Sequence, residues 1–230
     1  MSLLLGAAPR LARAEEGGDA ERWLTQAQAA LAGVESYRAI FHKQERVDGR
    51  LLPEETIRLK FMRPRLIHMR WIRRPFSGRE VVYIEGQNEN RIRVREGGLL
   101  GIIPVNLNPH GGMAMKGNRH SIVEAGIESL VARIAENVRR GKAAGELEAH
   151  ERGEEVVYGR RTARVEGVFP KNGAGKYYCR RAVLSFDLGL KVPIRAEIYD
   201  WDESLLESYG FEELALNAGL VAADFAIGKP

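Results

Sequence analysis
The stretch LKFMRPRLIHMRW, residues 59–71, reads as two β-strands meeting at an Arg-Pro corner. Just before the corner the apolar residues recur at every second position: Ile57, Leu59 and Phe61 share one face of the pleat, Arg58 and Lys60 the other. After it, Ile67, Met69 and Trp71 alternate in the same way with His68 and Arg70. Two-residue periodicity on both sides of a short corner marks neighbouring antiparallel strands with one face buried and one wet. Continuing the first alternation by one step puts Arg63 on the apolar face. A buried guanidinium is costly unless it is paired and hydrogen-bonded. Two placements stay open: Arg63 turned inward against a partner on a helix or loop, or Arg63 freed by a twist of the corner and reaching to the rim.

The same period extends outward from this stretch. Tyr37, Ala39 and Phe41 alternate with Arg38, Ile40 and His42, and Asp48-Gly49 supplies a tight turn before the returning strand. Strands are expected over 54–62, 66–72, 80–84 and 90–95, then over 155–158, 160–168, 177–186, 193–200 and 205–214. Ahead of them, 19–32 carries the helical stripe Trp23, Ala27, Ala30 and Leu31, with Gly33 placed to end it. A second helix is signalled by Ser121-Ile122-Val123-Glu124, which has the form of a capping box. Behind it runs a stripe of Val123, Ile127, Leu130, Val131, Ile134 and Val138, which Gly141 is expected to stop. Between them, 97–120 is glycine-rich and carries Leu99, Leu100, Ile102, Ile103, Met113 and Met115, the composition of a lid or a membrane-contact loop. A single antiparallel sheet of this size must curl or close, with the helices over its apolar side.

The 230 residues are 44% hydrophobic, enough to bury a core, and 19–230 shows no internal repeat or linker, so one domain is expected there. Thirty-five basic residues against 31 acidic give a net charge of +4, too even a balance to argue for nucleic acid as a partner. The single cysteine, Cys179, excludes an internal disulfide and lies in an apolar-alternating stretch, where a buried, inert thiol is expected. Residues 1–18 hold a brief apolar run and an Ala12-Arg13-Ala14 small-x-small pattern; they read either as the remnant of an export signal or as a disordered end. No later segment approaches the ~20 apolar residues of a membrane-spanning helix.

Sorting strands by face gives two surfaces. One carries Ile57, Leu59, Phe61, Ile67, Met69, Trp71, Ile92 and Val94; the other carries Arg58, Lys60, His68, Arg70, Arg91, Arg93 and Arg95. The basic face reads as a solvated exterior that guards against aggregation, or as a site for anionic headgroups. The apolar face is an ordinary core or a ligand cavity, which periodicity does not separate. The five histidines show no metal-ligand spacing, and there is no nucleophile elbow, phosphate loop or dinucleotide fingerprint. Neither a metal nor a cofactor is expected, and no catalytic residue is assigned. His110 and His120 bracket the glycine-rich loop, and a hydrolase would need both in one pocket beside a perturbed carboxylate.

Taken together, several short segments resemble the lipoprotein-carrier (LolA-like and LolB-like) family. They are the first helix, Phe41 with Gln44 before Asp48-Gly49, and Leu59-Lys60-Phe61-Met62-Arg63-Pro64 followed by Met69-Arg70-Trp71 and Pro75. Glu85-Gly86-Gln87, Tyr209-Gly210-Phe211 and Asp224-Phe225 also match. Gln44 to Gly49 and Met113 to His120 are closer still to an uncharacterised bacterial domain-of-unknown-function family of the same fold. The resemblance implies a mainly β (α+β) fold, a large curled antiparallel sheet forming an unclosed half-barrel whose concave face, covered by helices, holds acyl chains. It also implies that the corner arginine, here Arg63, hydrogen-bonds the lid and gates it. The cavity would be lined by Phe41, Ile57, Leu59, Phe61, Met69, Trp71, Ile92 and Val94, with a lipid or lipoprotein as partner in the periplasm or another part of the bacterial envelope. A membrane surface or an envelope protein is a further partner to expect. The alternative of the same fold is a sensor or protein-interaction module with a packed core, because fold alone does not fix function.

Overall fold
The computed structural model describes residues 18–101 and 103–228. The expected export-signal remnant falls almost wholly outside them. Helix α1 (Gly18–Ala32) leads into β1 (Ser36–Val47), which turns through β2 (Arg50–Leu51) into β3 (Glu55–Met62), β4 (Leu66–Trp71), β5 (Glu80–Ile84) and β6 (Ile92–Arg95). The glycine-rich segment contributes β7 (Val105–Leu107) and the one-turn helix α2 (Gly112–Met115). Helix α3 (Ile127–Ala143) follows, then β8 (Glu148–Val157), β9 (Arg160–Val168), β10 (Arg181–Asp187), β11 (Pro193–Tyr199) and β12 (Leu205–Leu216).

All strands belong to one antiparallel sheet in the order β7-β6-β5-β4-β3-β1-β12-β11-β10-β9-β8, with β2 paired to β1. Two meanders, β3–β7 and β8–β12, are thus joined through the β1–β12 pair, in which Phe41 faces Phe211. The sheet does not close: β7 and β8 are its two ends. The expected unclosed, mainly β architecture is what the chain adopts.

The helices cover only half of the concave side. Helix α1 packs on α3, β8 and β9; its Trp23 stacks on Phe186 with ring centroids 5.3 Å apart and donates from Nε1 to Glu151 at 2.9 Å. Under these helices the interior is nearly filled, leaving a void of about 30 Å³ beside Leu24, Val138 and Phe169. Cys179 sits in this packed half, 3% exposed, and burial pushes its thiol pKa up to about 12, as the inert reading expected.

Two helix signals are corrected. Ser121 does not cap α3: its hydroxyl donates to the Pro109 carbonyl at 2.8 Å, and 122–124 form a separate turn of 3₁₀ helix. The helix instead starts after Gly126, where a φ of +125° and the Tyr37 hydroxyl, 2.5 Å from any added Cβ, call for glycine. Gly141 does not stop the helix but lies within it, and it is glycine there because a Cβ would meet the Phe169 ring at 2.5 Å.

Candidate functional site
The uncovered half of the concave face, under β1 and β3–β6, encloses a cavity of about 570 Å³. This is the size of a ligand pocket. Six of the eight residues expected to line it do so: Phe41, Ile57, Met69, Trp71, Ile92 and Val94. Leu59 and Phe61 are buried but lie outside the lining; Phe61 stacks on Tyr37 at 4.9 Å where the end of β3 meets α3. Tyr209 and Phe211 of β12, Leu107 of β7 and Leu130 of α3 complete the apolar wall. Sequence period alone did not assign the β12 pair to the cavity, because only the long-range β1–β12 pairing brings them beside Phe41.

The glycine-rich segment covers the opening in part. Met113 and Ala114 of α2 line the cavity, and Met113 is 77% exposed. Met115 is half-buried outside the lining, and Ile103 points into solvent away from it. The side chains of Leu99 and Leu100, and all of Ile102, lie outside the described residues.

One end of the cavity is polar. The inward positions at the end of β1 are Lys43 and Glu45, which lie opposite Tyr209 and Glu207 of β12. Lys43 donates to Glu55 and to Asn118, each at 2.8 Å. Glu45 accepts from the Tyr209 hydroxyl at 2.6 Å and from the Arg119 backbone N–H at 2.8 Å. The Arg119 Nε donates to Glu207 at 2.7 Å, the Tyr178 hydroxyl donates to the same carboxylate, and His120 Nε2 lies 2.9 Å from it. Arg133 of α3 reaches His120 at 2.9 Å and Glu124 at 3.0 Å. Burial pushes the Glu207 carboxyl up, but hydrogen bonds from His120, Tyr178 and Arg119 outweigh it and hold the pKa below the ordinary value. His110 is exposed and does not line the cavity, so the two-histidine pocket that a hydrolase needed is not assembled.

Arg63 is neither inside the cavity nor free. Its side chain is 39% exposed at the corner, so of the two placements left open it takes the one at the rim. Nε donates to the Val34 carbonyl at 2.6 Å and Nη2 to Leu31 at 3.0 Å, tying down the end of α1. Nη2 also lies 3.9 Å from Glu128 in the first turn of α3. There Tyr37 accepts from the Ile127 N–H at 3.1 Å and donates to Glu128 at 3.3 Å, and Arg65 donates to the Val123 carbonyl. The corner therefore touches both helices that bound the concave side.

The convex face is less open than its sequence suggested. Arg58 is exposed, but Lys60 is buried, and residues 222–228 cross the outer surface of β4–β6, burying Phe225. Glu80, fully buried, accepts from Arg95 at 2.6 Å and from the Gly228 N–H at 2.9 Å and lies 3.6 Å from Arg70. His68 is 1% exposed beside it, and burial holds its pKa down to about 4. Arg91 pairs with Glu89 at 3.3 Å, and Arg93 is exposed.

The chain is thus an open antiparallel half-barrel, helix-filled on one side and hollow on the other. The DUF1571 family model, described as a protein of unknown function, matches residues 34–230, and the chain belongs to that family. No curated protein matches it. Among solved structures it is similar to the Mycobacterium tuberculosis lipoprotein LppX (TM-score 0.52, 15% identity, 87% of this chain and 96% of that one). It is also similar to Pseudomonas aeruginosa MucA/MucB (TM-score 0.50, 16% identity, 92% of this chain); there it spans only 62% of the other chain. A LolA-superfamily protein from Nitrosomonas europaea aligns at a TM-score of 0.37 with 9% identity, over 90% of this chain and 97% of that one. No helix among the described residues is long and apolar enough to cross a membrane.

Proposed function
We propose that this chain is a non-enzymatic cell-envelope protein that holds acyl chains of a lipid or lipoprotein in the half-barrel cavity and carries them between membranes. The observation that carries the reading is the asymmetry of the interior: one half packed to a 30 Å³ remnant, the other hollow over about 570 Å³ and walled by aromatic and aliphatic side chains. Packed cores leave few voids larger than a water molecule, so a hollow of this size needs an occupant. Of the four lining lysines and arginines, Lys43, Arg79 and Arg133 pair with the lining carboxylates Glu55, Glu96 and Glu124, while Lys116 forms no ion pair among the described residues. The interior therefore recognises its ligand mainly through apolar contact, each buried methylene contributing about 0.8 kcal/mol. Its envelope setting is supported by the fold shared with a lipoprotein and with MucB, which is bound to MucA in the similar complex. Arg63 is the gate in this reading, since its hydrogen bonds hold α1 at the corner that also anchors α3.

The test is extraction of the gently purified, detergent-free protein with organic solvent, followed by mass spectrometry and titration with a fluorescent acyl probe. Co-purifying acyl lipid near one per protein, with probe binding weakened at least tenfold in Val94→Trp, supports the reading. A clean extract with no probe binding overturns it in favour of a protein-interaction module.

A further inference from the structure
We infer that the groove on the convex face, between β6 and the C-terminal segment, binds an extended acidic segment of a partner protein. The groove encloses about 540 Å³ and has two chemically distinct sides. One is a ladder of Arg91, Arg93 and Arg95. They lie at alternate positions of one extended stretch, so successive guanidinium groups start about 7 Å apart. The other side is mainly apolar, made by Val82 and Ile84 of β5 with Phe225 and Ile227 of the C-terminal segment, and Gln87 and Asn88 also line the groove. That segment is held in place: Phe225 is 1% exposed and the Gly228 N–H donates to Glu80, the carboxylate that also takes Arg95. The wall is therefore built before any partner arrives, which lowers the ordering cost of binding.

The charge of the ladder is only partly spent. Arg95 is neutralised by Glu80 and Arg91 meets the highly exposed Glu89, while Arg93 has no carboxylate partner among the described residues. An extended peptide places alternate side chains on one side at the same repeat of about 7 Å. Carboxylates on that side meet the ladder, and apolar residues on the other meet Val82, Ile84 and Ile227. Charge-assisted carboxylate–guanidinium hydrogen bonds are the strong ones. A recessed floor with a raised wall favours a chain over a bilayer, whose flat surface does not reach the floor. The cavity under the concave face takes no part, so this binding is independent of the acyl-chain reading.

The probe is a fluorescein-labelled heptapeptide of alternating Glu and Val, titrated with the protein by fluorescence anisotropy at low and at physiological salt. The expected result is saturable binding that weakens with salt and falls at least tenfold in Arg93→Glu and in Arg91→Glu/Arg93→Glu, with the thermal midpoint unchanged. Arg93→Gln is the milder variant and should lose a part of the affinity. The same peptide with Lys for Glu should not bind. Equal affinity for the Glu and Lys peptides, or for parent and Arg93→Glu, overturns the inference. So does binding to vesicles of phosphatidylglycerol and phosphatidylcholine that depends on Arg93 while the peptide does not bind.

Discussion

Glu45 and Glu207 stand directly opposite one another across β1 and β12, both buried, with the Arg119-His120 dipeptide of the covering segment set between them. Like charges in facing positions of a sheet destabilise it. Here the arrangement holds because Arg119 serves both, with its backbone N–H on Glu45 and its guanidinium on Glu207. Removing the guanidinium takes from Glu207 its one arginine and leaves it His120 and Tyr178, opposite Glu45 with Lys43 at 3.4 Å. Truncating one partner of a buried ion pair costs 3–5 kcal/mol, and the partial exposure of Arg119 discounts this to about 2 kcal/mol. Arg119→Ala is expected to lower the urea midpoint accordingly, while Arg119→Lys recovers a part of it.

The same cluster sets an acid limit. The Glu207 pKa is lower in the folded chain than in the unfolded one, so its contribution is complete above the unfolded carboxylate value of about 4.3 and is lost as the pH falls through the lower folded value. Glu207→Gln should flatten this limb of the stability–pH curve, measured by urea denaturation between pH 5 and 2.

His68 works in a different window. Its folded pKa of about 4 lies under the ordinary histidine value. The unfolded chain takes up a proton below about pH 6.5 while the native chain refuses it. Stability is full above pH 6.5 and declines from there down to pH 4, by about 3 kcal/mol in total. His68→Phe should remove the slope in that interval; an unchanged slope would assign it to other groups.

At Gly141 two effects compete. Alanine improves helix propensity by about 1 kcal/mol, but its Cβ would stand 2.5 Å from Phe169 Cε1 and 3.1 Å from Leu147 Cβ. Overpacking costs about 1–3 kcal/mol, so Gly141→Ala is expected to be net destabilising. Gly141→Ala/Phe169→Leu should recover stability, as double-mutant analysis by thermal unfolding would show.

Arg63→Leu removes two hydrogen bonds to the end of α1 from a side chain that is only half-buried. The expected loss of stability is about 1–2 kcal/mol, small enough for the fold to persist. Release of a bound acyl probe, followed by stopped-flow fluorescence, should be faster than in the parent. Equal release rates would remove Arg63 from the gate.

The two faces of β3, β4 and β6 were legible because each of these strands repeats its period, and five of the six expected residues that line the cavity came directly from it, Phe41 of β1 being the sixth. What stayed hidden depends on contacts between distant parts of the chain. Phe211 reads as one more apolar strand residue until β12 pairs with β1, and His120 reads as a loop histidine until Glu207 arrives from 87 residues away. β8 is a charged end strand with a register shift between Glu151 and Glu154, so its alternation is broken and only its last residues stood out. The convex face looked uniformly wet because nothing in the period of β4–β6 announces that residues 222–228 lie across it. For Arg63 the strand period left an inward and a rim placement open, because it was extended past the point where the chain turns; the corner, not the pleat, decides its direction.

The central pair of the sheet joins the first described strand to the last: Tyr37 lies opposite Leu216. On a ribosome the β3–β7 meander can zip locally as it emerges, but β1 has only one of its two long neighbours until β12 has been made. Contacts of such sequence separation carry a large loop-closure cost and slow folding. The nascent chain accordingly waits with the open flank of β1 unpaired, a state in which a holding chaperone has a defined strand to protect until β12 arrives.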